Sequence, residues 1–248
     1  MEVPQISGGP LVLPATPATI AGLAEACAAA DDALSVIATV MPAPPMPFIP
    51  AALQGQIVIL AMVCYAGDPA TAAQALAPLR SLATPVVDLI QEMPYAGMFQ
   101  SETPFKGQVV AVRNMFVDQI DESAGATMLE HLSRSEALLR MVQFRVLGGA
   151  IARVAADDTA YAHRKSAIMV NVVHGTARND ESGRRWVEEL AAALYQGDDA
   201  AYVNFFGPDD PNRIQAAYPA RTLARLRRIK GKYDPTNLFR HNDNIHPR

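Results

Sequence analysis

Ile57-Val58-Ile59-Leu60-Ala61-Met62-Val63-Cys64-Tyr65, followed at once by Ala66-Gly67-Asp68-Pro69, reads as one strand running into one helix. Nine apolar residues without polar alternation suit a strand buried on both faces. Asp68 is a helix N-cap and Pro69 the first helical position, so the helix runs to about Leu79. The same rhythm appears on either side. Upstream, Gly8 to Pro14 reads as a strand, Thr16-Pro17 as a helix start, and Ala18 to Ala30 as an Ala-rich helix. Leu34 to Met41 is a further strand. The loop Pro42-Ala43-Pro44-Pro45-Met46-Pro47 follows, since proline breaks both helices and sheets. Downstream, Val86–Ile90, Val109–Val112, Leu139–Leu147 and Ile168–Val173 are strand candidates, and 118–134 and 180–195 are helices. Short strand-to-strand connections favour antiparallel pairing. The expected class is α+β: a largely antiparallel sheet with helices covering one face, then an irregular C-terminal tail containing one helix, about Pro219 to Tyr233. Residue identities reveal no internal repeat.

Composition narrows the function. The chain has 248 residues, 50% of them hydrophobic, with a formal charge of −4, which suits a packed core and gives no nucleic-acid footprint. Arg221 to Lys232 is basic, but Leu223, Leu226 and Ile229 recur every three residues, so the charges form the wet face of an amphipathic helix. The longest apolar run is about half of the ~20 residues a membrane helix needs. The N-terminus has no secretory pattern. Cys27 and Cys64 sit in apolar settings and read as buried, reduced thiols. A cytoplasmic location, with neither nucleic acid nor membrane as partner, is expected. The five histidines lack ligand spacing, so no metal site is expected, and there is no Gly-rich phosphate loop or GxSxG. Gly8-Gly9 and Gly148-Gly149 read as turns or bulges.

The last fifth is the most specific part. It carries Tyr202-Val203-Asn204-Phe205-Phe206, then Lys230-Gly231-Lys232-Tyr233-Asp234-Pro235-Thr236-Asn237-Leu238-Phe239, then Asn242-Asp243-Asn244-Ile245. This succession resembles the C-terminal signature of the FAD-linked oxidases of the berberine-bridge type, in the vanillyl-alcohol-oxidase superfamily. Earlier patches add to the likeness: Pro42 to Phe48, Tyr65-Ala66-Gly67, Met93-Pro94-Tyr95, Gly148 to Arg153, and Thr159-Ala160-Tyr161-Ala162-His163-Arg164.

The resemblance implies a two-domain flavoenzyme. One domain holds FAD; the other is an antiparallel sheet that covers the flavin ring, and the tail returns to the flavin domain. The family's flavin-attachment histidine and pyrophosphate loop have no matching positions here. The expected division is therefore a substrate domain, 1–200, and a C-terminal segment, 201–248, that packs on a flavin domain supplied elsewhere, for instance by a separate subunit. The implied cofactor is FAD and the implied ligand a small-molecule substrate; a homo-oligomer is a further expectation. Tyr202 and Asn204 match the family's YxN element and are the catalytic candidates. Residues two apart on a strand point the same way, so a phenol and an amide would stand together. Satisfaction by neighbours is the alternative reading of that pair. Asn242 and Asn244 are the cofactor-binding candidates, or else they satisfy the tail's own turns. His163, Gln143, Tyr95 and Tyr161 are candidate pocket residues, or ordinary half-buried sheet residues. The expected function is the substrate-domain portion of an FAD-dependent oxidoreductase acting by hydride transfer. The alternative is a non-catalytic small-molecule-binding or assembly module of the same fold.

Overall fold

The computed structural model describes residues 5–99, 109–176, 181–206, 213–241 and 243–247. Its frame is one antiparallel sheet. β1 (Gln5–Pro14), β2 (Leu34–Pro42), β3 (Ile57–Tyr65), β6 (Val109–Val117), β7 (Leu139–Val146) and β8 (Ile168–Thr176) are its long strands. The short strands β4 (Val87–Asp88) and β5 (Gln91–Pro94) both pair with β1 at one edge. The order is β4-β1-β3-β2-β7-β8-β6, and every pairing is antiparallel.

The order contains a repeat that residue identities hide. β1, α1 (Pro17–Ala29), β2, β3 and α2 (Pro69–Arg80) form one unit with strand order β1-β3-β2. β6, α3 (Glu122–Arg134), β7, β8 and α5 (Glu181–Leu194) form a second, ordered β6-β8-β7. The units join where β2 pairs with β7, and α1 packs on α3 above that seam. Only the apolar pattern recurs, because burial constrains hydrophobicity and size more than identity.

One face of the sheet is the core. Leu11, Ile59, Val63, Val142, Phe144 and Val172 meet helix residues Ile20, Leu23, Leu76, Met128, Leu132 and Leu190, all essentially out of water. Local chemistry starts α1 and α2 as the sequence suggests. Thr16 Oγ1 accepts from Thr19 N at 3.1 Å, and Asp68 Oδ1 accepts from Ala70 N at 2.9 Å. Gly125 on α3 lies so close to α1 that an added Cβ would sit 3.0 Å from Pro17 Cα and O.

The structure departs from the sequence reading in a few places. β6 extends to Val117, and α3 begins at Glu122 rather than at Asp118, with Asp121 as its N-cap accepting from Ala124 N at 2.8 Å. Arg113 and Asn114 interrupt the apolar pattern of β6, which hides its second half. Gly148 and Gly149, at φ 136° and 46°, end β7 and open a one-turn helix, α4 (Gly149–Arg153), in a conformation only glycine adopts readily. Cys27 and Cys64 are half-buried free thiols. The tail holds α6 (Arg213–Ala217) as well as α7 (Ala220–Tyr233). Tyr202 and Asn204 lie at a single 3₁₀ turn, residues 203–205, and not on a strand. Among the described residues no helix is long and apolar enough to cross a membrane.

Candidate active site

Among the described residues, the face without helices is covered at both ends and open in the middle. Toward β1, the proline-rich loop folds over it: Ala43 and Ile49 bury against Val12 and Val58, with Met46, Phe48 and Leu53 packed around them. Toward β6, the segment from Tyr202 to Phe205 lies on it. Between them runs β7, whose Met141, Gln143 and Arg145 share this face and are only half-buried.

Register puts four polar side chains in one row. Thr39 of β2 pairs with Gln143 of β7, Gln143 with Asn171 of β8, and Asn171 with Asn114 of β6. Directly opposed residues stand about 4.5–5.5 Å apart, so the row is continuous. Gln143 Nε2 donates to Thr39 Oγ1 at 3.1 Å. Asn171 is buried, and its carboxamide oxygen has no partner among the described residues. Asn114 accepts from Tyr202 N–H at 2.6 Å and donates to the Phe205 carbonyl at 3.1 Å. One buried carboxamide thereby ties the YVNF turn to the sheet at two points.

The 3₁₀ turn brings the catalytic candidates together by a route other than strand alternation. Asn204 Nδ2 donates to the Tyr202 hydroxyl at 2.8 Å. That bond fixes the position of the hydroxyl and leaves its second lone pair for a ligand. Tyr161 meets Tyr202 edge-on at 5.3 Å, and Phe205 lies 5.8 Å from Tyr202. Arg145 stacks over the Phe205 ring at 4.8 Å. Burial pushes the Tyr161 hydroxyl up, with Tyr202 adding to the effect, so Tyr161 stays neutral.

Of the other pocket candidates, Gln143 lies in the row. His163 is buried behind Tyr161, stacked on Phe116 at 4.7 Å, and its Nε2 lies 2.9 Å from the Ala217 carbonyl. Burial pulls its pKa down, so the ring is neutral and pins α6. Tyr95 sits on the 3₁₀ turn after β5, with β1, β3, β2 and β7 between it and β8. Asn244 keeps a buried carboxamide oxygen without a partner; Asn242 lies outside the described residues.

Sequence reasoning missed Asn114, Asn171, Thr39 and Arg145. The first three share a signal with Gln143: each is an uncharged polar residue in the middle of an apolar strand. Only the register shows that they form one row.

The tail's signature has its own geometry. Asp234 accepts from Leu238 N at 2.7 Å and from Phe239 N at 3.1 Å, while Lys230 Nζ bridges Asp234 and the Phe239 carbonyl. Asn237 makes the turn with φ 55°. The Lys230–Asp234 clip holds Tyr233, Leu238 and Phe239 outward, 74%, 69% and 76% exposed. Along α7, Leu223 is buried but Ile229 is exposed, so the apolar stripe is only partly covered. A cleft of about 510 Å³ lies between α7 and residues 157–160, with Arg221, Arg225 and Arg228 on its wall, away from the polar row.

Comparisons with known proteins agree with this geometry. The family described as "Berberine and berberine like" matches residues 201–246. The uncharacterised FAD-linked oxidoreductase YgaK of Bacillus subtilis (strain 168) is 28% identical over 190 residues, which is 74% of this chain and 42% of that protein. Chitooligosaccharide oxidase of Gibberella zeae is 26% identical over 213 residues, 74% of this chain and 43% of that protein. The solved structure of 6-hydroxy-D-nicotine oxidase from Arthrobacter nicotinovorans superposes with TM-score 0.76 at 19% identity, over 99% of this chain and 56% of that one. The chain thus spans less than half the length of these two curated relatives. The C-terminal segment thus matches the berberine-like family, the rest of the chain is similar to FAD-linked oxidoreductases, and the fold is shared with the oxidase structure.

Proposed function

We propose that this chain supplies the substrate-binding face and C-terminal segment of an FAD-dependent enzyme that oxidises a C–H bond of a small alcohol, amine or sugar. The observation that carries the reading is the Tyr202–Asn204 pair, fixed by Asn114 at one end of a polar row on the open sheet face. Residues 1–200 act as the substrate domain, and 201–248 pack on a flavin domain. The outward-held Tyr233, Leu238 and Phe239 are the apolar contacts for that packing, since exposed aromatic and aliphatic clusters mark interaction surfaces.

The residues present fit a flavin ring and its substrate. The ring edge carries one N–H donor and two carbonyl acceptors. The partnerless oxygen of Asn244 suits the donor, and Asn242 is the second cofactor-facing candidate. Asn171 offers a second unspent acceptor over the floor of the site.

FAD, when bound, accepts a hydride from the substrate carbon. As that C–H and the neighbouring O–H or N–H become a double bond, the hydride carries away two electrons and a proton must leave the heteroatom. Tyr202 is the base or its hydrogen-bond partner, and Asn204 orients it. Gln143 and Asn171 position the substrate, Met141 lines the floor, and the proline-rich loop and the YVNF turn exclude water from its two ends.

The test is anaerobic mixing of the flavin-loaded protein with alcohols, amines and sugars. Bleaching of the oxidised flavin band is expected, slowed about tenfold to a hundredfold or more in Tyr202→Phe, in line with loss of a general base. Bleaching untouched by Tyr202→Phe overturns the role of Tyr202. A protein that holds no flavin in any assembly overturns the reading.

A further inference from the structure

We infer that Arg145 and Asn171 form a recognition site for an anionic substrate, one carrying a carboxylate with a hydroxyl or amino group beside it. The inference deepens the proposed function, because it names a substrate class for the same open face and rests on that reading.

Among the described residues Arg145 has no counter-ion. It sits on the half-buried strand β7, opposite buried Met169, and its Nη1 is out of water with no hydrogen-bond partner. Its one resolved partner is the Phe205 ring, 4.8 Å below the guanidinium carbon. A stacked ring offsets part of the lost hydration but accepts no in-plane hydrogen bonds, so the fork that fits a carboxylate stays unused. Burial lowers the pKa of this group, and among the described residues no carboxylate opposes it.

Two strand positions away, a complementary demand is unmet. Asn171 faces Gln143, so it is the diagonal neighbour of Arg145 across the β7–β8 pair, about 7–8 Å between Cα atoms. Its buried oxygen needs a donor. One neighbour thus calls for an anionic acceptor and the other for an O–H or N–H. A hydroxy acid or amino acid carries both groups on neighbouring atoms. The site adjoins the catalytic candidates, because Phe205 packs on both Arg145 and Tyr202. A plain structural role, with Arg145 merely holding Phe205 in place, predicts no preference for an acid over its neutral analogue.

The proposal is tested on the chain itself, following the side-chain amide resonances of Asn171 and Gln143, which wild type and variant share, by NMR. The probes are glycolate and its neutral analogue glycolamide, at constant ionic strength. The expected result is saturable binding of glycolate at least about tenfold tighter than glycolamide, a preference that Arg145→Met abolishes. Equal binding of the two probes by the wild-type chain overturns the proposal, as does Arg145→Met binding glycolate like the wild type. If Arg145→Met fails to fold, the wild-type pair of titrations decides alone. No flavin is needed, so failure of this test leaves the flavin reading standing, and failure to hold flavin leaves the acid preference measured.

Discussion

Asn114→Ala isolates the device that places the catalytic pair. The substitution removes the acceptor of the 2.6 Å bond from Tyr202 N–H and the donor of the 3.1 Å bond to the Phe205 carbonyl. A typical hydrogen bond contributes about 1 kcal/mol net, so the turn loses about 2 kcal/mol of attachment. At about 1.4 kcal/mol per factor of ten, that is roughly thirtyfold in the opening equilibrium of the segment. The loss is local, because the sheet core keeps its own contacts and segments open independently of global unfolding. Amide hydrogen exchange therefore reads it best. Protection at Tyr202 should fall about thirtyfold, while Val142, Val170 and Val172 in the central strands exchange as before. Undiminished protection at Tyr202 in Asn114→Ala would refute the claim that this carboxamide anchors the turn. Equal loss across the central strands would show Asn114 to be a core residue instead.

Gly125→Ala should destabilise the protein although alanine is the better helix former by about 1 kcal/mol, because its Cβ meets Pro17 backbone at 3.0 Å; a raised thermal midpoint would count against the tight α1–α3 contact. Lys230 and two backbone N–H groups hold the Asp234 carboxyl below its usual pKa. A depressed carboxylate contributes stability above about pH 4 that is lost as pH falls through its lower folded value, so Leu238 and Phe239 amide resonances should move to unfolded positions on acidification and stay put in neutral buffer. Burial pushes the Cys27 thiol up to about 12, so alkylation at pH 8 should run at least about a hundredfold slower in the native than in the unfolded chain; rapid native labelling would contradict that burial.

The fold was largely legible because its signals are local. Asp68-Pro69, Thr16-Pro17 and the apolar run of β3 announce their elements through capping chemistry and hydrophobicity alone. The second half of β6 was not, since Arg113 and Asn114 break its apolar pattern and pairing with β8 outweighs it. The repeat of two β-α-β-β-α units was hidden, because identities diverge while the apolar pattern persists. At the site, the pairing of Tyr202 with Asn204 was foreseen for the wrong local reason: a 3₁₀ turn unites them where a strand was expected. Gln143 was found as a polar residue within a strand; Asn171 and Asn114 carry the same mark, but joining them requires the register, which a one-residue slip would invert. Arg145 gave no sign, because an unpaired guanidinium is visible only once its surroundings are.

The central claim is that this chain presents the ring-facing and substrate-facing groups of a flavin site. Its most direct test is an NMR titration of the purified chain with lumiflavin, the flavin ring without its phosphate tail, and separately with FAD. The account predicts saturable shifts at Gln143, Tyr202, Asn204 and Asn244, with affinities for the two ligands equal within a few-fold, because the ring, common to both ligands, is the part that lies over these residues. Absence of saturable shifts at these positions, or shifts with FAD confined to the basic cleft at Arg221 and Arg225, would contradict it.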